Sequence, residues 1–479
     1  MTMTLFPFQR EAVEKLWKLK SVLIGDDMGL GKTHEAIAID LARRAEFPNY
    51  KMKTLIVCPL AMVSTWTRAW FQWTTDLNIL PINNKDRSHF IDELSQDNYD
   101  VFIMHWPALR LMPELSDVKW FHVIADEAHA LQNRNSKQTK SLKALPAGYK
   151  SALTGTPAFD KPDDLWSILN WLYPRYWSSY WQYYNDHIMY DNFNGYKTII
   201  GVNNPEKLQM EMEPFYIRRR KTDVLTDLPE KYYTEIRVDL HPQQMRAYKS
   251  MKENMLAWIG EHEHEAVVAP VIIAQLTRLQ QFACAYGEWN EEKGKMFLAE
   301  PSSKLDAVME VIDSANGAQI VVFSQYAQVI KLLATRLEKK GITVGKFIGE
   351  TPADERARII SGFQEGKIQV FAGTISAGGV GITLTAASTV IFTDRSWSNA
   401  LNLQAEDRLH RIGQKSAVQV IDIIANDTID RARIKVIQQK WSWIKRLIGD
   451  SKFDPNEEVE DGEELDLDDE SYSGILNEE

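Results

Sequence analysis

Cysteine is nearly absent: the 479 residues contain two, Cys58 and Cys284, far apart and with neither C-x-x-C spacing nor a clustered His. That excludes a disulfide scaffold and a zinc module and points to a reducing, intracellular setting. Long apolar runs are also missing. No segment approaches the roughly 18 uninterrupted apolar residues of a membrane span, and Met1 to Gln9 has neither the basic start nor the apolar core of a secretory signal. The expectation is a cytoplasmic protein, neither secreted nor membrane-bound. A third shortage is positive charge. The chain carries 55 Lys plus Arg against 66 Asp plus Glu, a net of −11 that at face value disfavours a nucleic-acid partner. The deficit is local, however. Residues 450–479 hold 14 acidic side chains and one Lys, so residues 1–449 carry 54 basic against 52 acidic groups and are close to neutral.

What is present is the composition of a globular enzyme, 44% hydrophobic and 25% charged, long enough for about two to four domains. Short β-branched runs recur at Ser21–Ile24, Thr54–Val57, Val101–Met104 and Phe121–Ile124, and again at Ile320–Phe323, Ile368–Phe371, Thr389–Phe392 and Val418–Ile421. Most lead through a loop into residues of helical spacing. Strands apolar on both faces and alternating with helices predict parallel sheets, hence two α/β lobes. Between them, Trp171 to Tyr196 holds 11 aromatics in 26 residues. Such rings can stack bases, but packing of a helical insertion is the expectation. Residues 241–282 read as helical. The tail from Asp450 is too charged to bury a core, which predicts disorder.

Chemistry is concentrated at three places. After the first strand comes Gly25-Asp26-Asp27-Met28-Gly29-Leu30-Gly31-Lys32-Thr33, followed at once by helix-forming residues. Glycine turns let backbone N–H groups converge on phosphates at a helix N-terminus, Lys32 can reach the β/γ-phosphates, and Thr33 can ligate Mg²⁺. The strict phosphate-loop pattern would place Gly at Asp26. Behind the fourth apolar run stand Asp126, placed to hold Mg²⁺, and Glu127, placed to activate the attacking water. The second lobe has no phosphate loop of its own. It carries Gln404-Ala405-Glu406-Asp407-Arg408-Leu409-His410-Arg411, whose two arginines share one face if the segment is helical. They are expected to complete the ATP site from the second lobe, so that hydrolysis would release one lobe from the other.

These residues resemble the SWI/SNF-type ATPases of helicase superfamily two, over residues 5–435. Phe6-Pro7-Phe8-Gln9 resembles the family's adenine-reading motif, which casts Gln9 as the base-pairing amide. Asp26 to Thr33 resembles its phosphate loop, in which the first Gly is also missing and Asp27 replaces the usual Glu. Val57 to Leu60 with Trp66 is similar to a strand-contacting segment, and Leu153-Thr154-Gly155-Thr156-Pro157 to the coupling motif, with Phe159-Asp160 standing where the family usually has Gln-Asn. Pro214 to Lys221 and Asp227 to Lys231 match a stretch specific to this family and make Arg218, Arg219 and Lys221 structural or DNA-proximal. Val322 to Gln325, Gly373 to Thr383 and Gln404 to Gln414 are similar to the motifs of its second lobe. The wording of Gln404 to Arg408 resembles the annealing-helicase branch, without assigning a subfamily.

The resemblance implies two RecA-like parallel-sheet lobes in tandem with helical insertions. The first is expected over 1–229 with an insertion at 172–212, a linker and helical insertion over 230–300, the second lobe over 301–449, and the acidic tail over 450–479. Nucleotide contacts are implied for Gln9, Gly29, Leu30, Gly31, Lys32, Thr33, Gly379, Gly381 and Gln404, with Thr33 and Asp126 on Mg²⁺. Catalysis falls to Lys32, Asp126, Glu127, Arg408 and Arg411. DNA contacts are implied for Pro59, Trp66, Ser324, Gln325, Thr374 and Trp397. The implied activity is hydrolysis of ATP coupled to tracking along double-stranded DNA without strand separation and with little sequence preference. The alternatives are a strand-separating or strand-annealing helicase and an ATP-gated DNA-binding module. A near-neutral body accords with DNA binding, because phosphate contacts need only a local lining of donors. A monomer is expected, in a bacterial or virus-infected cell, with protein partners reached through the tail if through anything.

Overall fold

The computed structural model describes residues 4–82, 87–193, 196–225, 228–261, 268–290, 295–378 and 381–450; Gly379 and the expected acidic tail beyond Asp450 lie outside them. The described residues divide into two compact units. One holds the described residues of Met1–Met189, Ile200–Asp227 and Ser442–Asp454; the other holds those of Tyr190–Ile199 and Leu228–Trp441.

The first unit is built on β1 (Ser21–Ile24), β2 (Thr54–Cys58), β3 (Ile79–Pro81), β4 (Val101–His105), β5 (Trp120–Asp126), β6 (Ala147–Leu153) and β9 (Tyr216–Ile217), while the separate pair β7 (Ile188–Phe193) and β8 (Tyr196–Val202) falls partly in each unit. Seven of these form one sheet in the order β3-β4-β2-β5-β6-β1-β9, every pairing parallel. Every residue of β1, β2 and β4 is buried, as expected of strands covered on both faces. Ile24, Ile56, Ile103, Ile124 and Leu153 share a core with Trp66 and Trp70, which the helix Val63–Trp73 delivers four residues apart and so on one face.

The register levels the strand ends. Ile24 pairs with Leu153 and with Ile217, and Leu153 pairs with Asp126. Four adjacent strands, β9-β1-β6-β5, therefore run out at one height, and the segments that leave them line the carboxyl edge where open α/β sheets hold ligands.

The second unit is a six-stranded parallel sheet in the order β10-β17-β16-β13-β15-β14. Its strands are β10 (Lys231–Val238), β13 (Ile320–Ser324), β14 (Val344–Phe347), β15 (Val370–Thr374), β16 (Thr389–Phe392) and β17 (Val418–Ala425), with an antiparallel hairpin of β11 (Tyr286–Asn290) and β12 (Lys295–Ala299). Alternation along β13 sends Ile320 and Val322 into one core and Val321 and Phe323 into another, so both faces of this sheet are covered. Within 241–282 the described residues form the helices Pro242–Glu261 and Val268–Cys284, as expected.

Two expectations need revision. The 172–212 insertion is helical only at Tyr180–His187 and Pro205–Met212, with β7 and β8 between. Its rings mostly pack: Trp171, Trp177, Tyr183 and Tyr184 are buried, while Tyr176 and Trp181 are exposed. The chain end, assigned to the second lobe through residue 449, returns instead to the first unit from Ser442 within the helix Ile429–Ile448. Among the described residues no helix is long and apolar enough to cross a membrane.

Candidate active site

The segment after β1 turns on two left-handed glycines, Gly29 (φ 87°) and Gly31 (φ 85°), a conformation costly for any residue with a Cβ. Gly31 is the N-cap of the helix Lys32–Ala45, and a side chain there would also collide with the amide of Gln9. Leu30 is fully buried. Its carbonyl accepts from Gln9 Nε2 at 2.8 Å, while Gln9 Oε1 accepts from the Phe6 N–H at 3.0 Å. Gln9 is thus buried and ties the first helix to the loop. Lys32 Nζ donates to the carbonyls of Asp26 (2.7 Å) and Asp27 (3.2 Å). An ammonium so placed lies in the concavity that a glycine turn offers to phosphate oxygens.

Two strands along, Asp126 closes β5. Its Oδ2 accepts from Trp66 Nε1 at 2.8 Å, its Oδ1 from the Glu127 N–H at 3.0 Å, and its carbonyl from Trp106 Nε1 at 2.9 Å. Burial, with Glu127 beside it, pushes the Asp126 carboxyl up to about 6, against the pull of Trp66 and Lys32. Glu127 stands in the left-handed region (φ 52°, ψ 54°), an uncommon conformation for a non-glycine residue. It ends the strand and starts the short turn Ala128–Leu131. From that turn, His129 Nδ1 lies 3.3 Å from Glu127 Oε2 and 3.3 Å from Thr154 Oγ1, at the head of the loop after β6.

The segment after β9 straps the phosphate loop. Arg219 Nε reaches Asp26 Oδ1 (3.1 Å) and Oδ2 (3.0 Å), its Nη2 reaches Glu35 Oε1 (2.5 Å), and its Nη1 donates to the Phe8 carbonyl. Arg218 pairs with Asp27 at 2.8 Å and with Asp450 through two bonds of 2.9 and 2.7 Å. The Asp27 N–H donates to the Arg219 carbonyl (3.0 Å), and the Lys221 N–H to Asp27 Oδ2 (2.9 Å). Asp26, where a strict phosphate loop has Gly, is therefore a buried anchor. Burial, then the Asp26 charge, raises Glu35 to about 8, against the pull of Arg219 and Lys32.

In the second unit the helix Asn399–Glu406 ends before either arginine. Arg408 and Arg411, expected on one helical face, lie in the turn that follows, because Asp407 already caps the helix. They nevertheless converge: Arg408 Nη1 (3.5 Å) and Arg411 Nη1 (3.3 Å) both reach the Ile382 carbonyl, and Arg411 adds Thr383 Oγ1 at 3.0 Å. Gln404 is buried, and its carbonyl accepts from Arg408 Nε at 3.0 Å; Gly381 is exposed, in the left-handed region at φ 71°.

The model of the SNF2-related domain matches residues 8–288, and that of the helicase conserved C-terminal domain matches residues 303–413. The chain belongs to the SNF2-related family. An uncharacterized ATP-dependent helicase of Mycoplasma genitalium is 31% identical over 93% of this SNF2-related chain and 42% of its own length. A SWI/SNF chromatin-remodeling complex subunit of Schizosaccharomyces pombe is 26% identical over 92% of the chain and 27% of its own. The chain thus spans less than half the length of these relatives. A solved SWI2/SNF2 ATPase core from Sulfolobus solfataricus, in complex with double-stranded DNA, is 28% identical, with 94% of each chain covered and a TM-score of 0.44.

Several residues expected to contact DNA are buried and already engaged within the chain. Trp66 is fully buried and spends its N–H on Asp126, so it orients an acid instead of meeting a strand. Ser324 is buried and donates to Asp394 Oδ1 at 2.5 Å, Thr374 is buried at the end of β15, and Trp397 packs into the helical core with Tyr248 and Leu279. The Trp397 indole buries more favourably than it solvates, whereas the Ser324 hydroxyl turns inward to a hydrogen-bond acceptor. Pro59 and Gln325 keep partial exposure, although Gln325 gives its amide to the Arg395 carbonyl at 2.7 Å. Arg218 and Arg219 resolve to structural roles, whose residue types alone did not reveal their partners.

A lysine cannot reproduce the fork of Arg219. Arg219→Lys is expected to leave Asp26 incompletely paired and to weaken ATP binding by about 1.5–3 kcal/mol, read by titration with a fluorescent nucleotide. Unchanged affinity would mean that the strap does not shape the loop.

Proposed function

We propose that this chain hydrolyses ATP and uses the cycle to move along double-stranded DNA without separating its strands. The observation that carries the reading is the common height of the strand ends that present Lys32, the Thr154 loop and the pair Asp126–Glu127. Lys32 and the N–H groups that open the helix Lys32–Ala45 bind the β/γ-phosphates. Glu127, held outside the strand by its left-handed backbone, orients and deprotonates the attacking water. The resemblance assigns Arg408 and Arg411 to supply positive charge to the transferred phosphoryl group.

A hard cation fits here. Thr33 and Asp126 offer oxygen donors, and Asp126 is held by two N–H bonds in a setting where burial disfavours its charge and a cation would restore it. When bound, Mg²⁺ neutralises charge on the phosphates. Grip on DNA through phosphates predicts weak sequence preference and strong salt dependence.

The test compares ATP turnover on single-stranded, duplex and forked DNA, with triplex displacement and unwinding followed in parallel and Lys32→Ala as the inactive control. Duplex-stimulated turnover and triplex displacement without unwinding are expected. Unwinding of plain duplexes would replace this reading by that of a strand-separating helicase. Equal turnover by wild type and Lys32→Ala on every DNA would remove the motor altogether.

A further inference from the structure

One side chain beside the catalytic base Glu127 has no part in the proposed reaction, yet its placement is specific. The His129 ring stacks on Phe159, with centroids 4.2 Å apart and planes inclined by 17°. Phe159 is 7% exposed and belongs to the loop that follows β6, after the buried Thr154, Thr156 and Ala158. Thr154 itself is fixed twice, by its own N–H to the Ile24 carbonyl at 3.1 Å and by its Oγ1 accepting from the Thr156 N–H, also at 3.1 Å. The edge of the same imidazole meets Glu127: Nδ1 lies 3.3 Å from Glu127 Oε2 and 3.3 Å from Thr154 Oγ1. One nitrogen faces both oxygens, so a tilt of the ring trades one for the other.

We propose that Phe159 is a positioning residue for ATP hydrolysis: its ring sets the plane of His129, and through it the carboxylate of Glu127 relative to the loop after β6. The proposal rests on the ATPase reading above and extends it to a residue to which that reading gives no role. The physical basis is that a near-parallel stack restrains tilt about the axis that the two 3.3 Å contacts leave free. A flexible aliphatic side chain fills similar volume without restraining it. Because Thr154 takes the Ile24 carbonyl just ahead of the phosphate loop, a shift of the β6 loop would reach Glu127 through this stack.

The experiment uses the full chain with saturating duplex DNA and measures kcat and KM for ATP together with thermal melting, in wild type, Phe159→Leu, Phe159→Tyr, His129→Gln and the Phe159→Leu/His129→Gln double variant. Phe159→Leu should lower kcat by roughly 3- to 30-fold with KM within about twofold, the pattern of a contact that matters only in the transition state. Phe159→Tyr, which keeps the face, should restore kcat. In the His129→Gln background, Phe159→Leu should cost nothing further. Equal losses with and without His129, or a folded Phe159→Tyr as slow as Phe159→Leu, would overturn the positioning role while leaving the ATPase reading intact. A wild type that fails to hydrolyse ATP on any DNA would fell that reading and this one together. Melting temperatures separate a folding defect in Phe159→Leu from either result, since Phe159→Tyr and the double variant still decide the case.

Discussion

Arg411→Ala is expected to lower DNA-stimulated ATP turnover by about 10³–10⁵-fold, the usual worth of an arginine finger, or about 4–7 kcal/mol of barrier, with ATP affinity within a few-fold of wild type. The choice of Arg411 over Arg408 follows from their surroundings. Arg408 is 8% exposed and engages the carbonyls of Gln404 and Ile382 through Nε and Nη1, as befits a support for the turn. Among the described residues Arg411 is held through Nη1 alone, by Ile382 O and Thr383 Oγ1. A guanidinium anchored on one nitrogen is oriented and retains donors for a phosphoryl oxygen. Burial lowers the Arg411 pKa, partly offset by Asp407, yet an arginine remains protonated at any working pH. Arg411→Lys, a point charge without the fork, should fall between wild type and Ala. Single-turnover hydrolysis beside fluorescent-nucleotide titration checks this. A loss of nucleotide binding comparable to that of Lys32→Ala would contradict the finger role and make Arg411 a binding residue.

Legibility of the site in the sequence followed how local its cause is. Gly29, Gly31 and Lys32 act through backbone geometry within a single turn, so their spacing announces them, and the left-handed glycines are where that spacing implies. Asp126 and Glu127 were legible for a similar reason, an acidic pair behind a wholly apolar run. β6 was not, because Ala147-Gly148-Tyr149-Lys150-Ser151-Ala152-Leu153 has no β-branched run; it is a strand because β5 and β1 pair with it on either side. The partners of Arg218 and Arg219 lie 193 residues away in sequence at Gly25 and Asp26, and no periodicity encodes such a distance. Trp66 misleads for the opposite reason: its residue type suits a nucleic-acid surface as well as a core, and only the parallel placement of β2 beside β5 turns it toward Asp126.

A second large effect is expected far from the nucleotide, at a buried cluster that no motif marks. Asp40, fully buried in the helix Lys32–Ala45, receives Arg44 Nε (2.6 Å), Thr54 Oγ1 (2.8 Å) and His122 Nδ1 (2.7 Å). Arg43 Nη1 lies 2.9 Å from His122 Nε2. A guanidinium can only donate, so Nε2 is the acceptor and the proton sits on Nδ1, facing Asp40. The order Asp40–His122–Ser151 is that of a nucleophilic triad, but Ser151 is buried and Nε2 is already taken, so its role is structural. Asp40→Asn would leave the Arg44 guanidinium, 9% exposed, without its counter-charge. A loss of about 3–5 kcal/mol is expected at pH 7, measured by denaturant titration of Trp fluorescence. The pH dependence has a definite sign. Burial first, then Arg43, lowers His122 to about 4, so its contribution is complete above its unfolded value of about 6.5 and is lost as pH falls toward 4. Arg44 and His122 overcome the burial of Asp40 and hold it well below the ordinary carboxylate range, so its contribution persists to more acid pH than that of His122. The His122 contribution should therefore start to fall below about pH 6.5, read as the difference in stability between wild type and His122→Gln across that range, because the raised Asp126 and Glu35 carboxyls shift stability the other way. An identical pH dependence in wild type and His122→Gln between 6.5 and 4 would mean that His122 titrates as freely in the folded protein as in the unfolded chain.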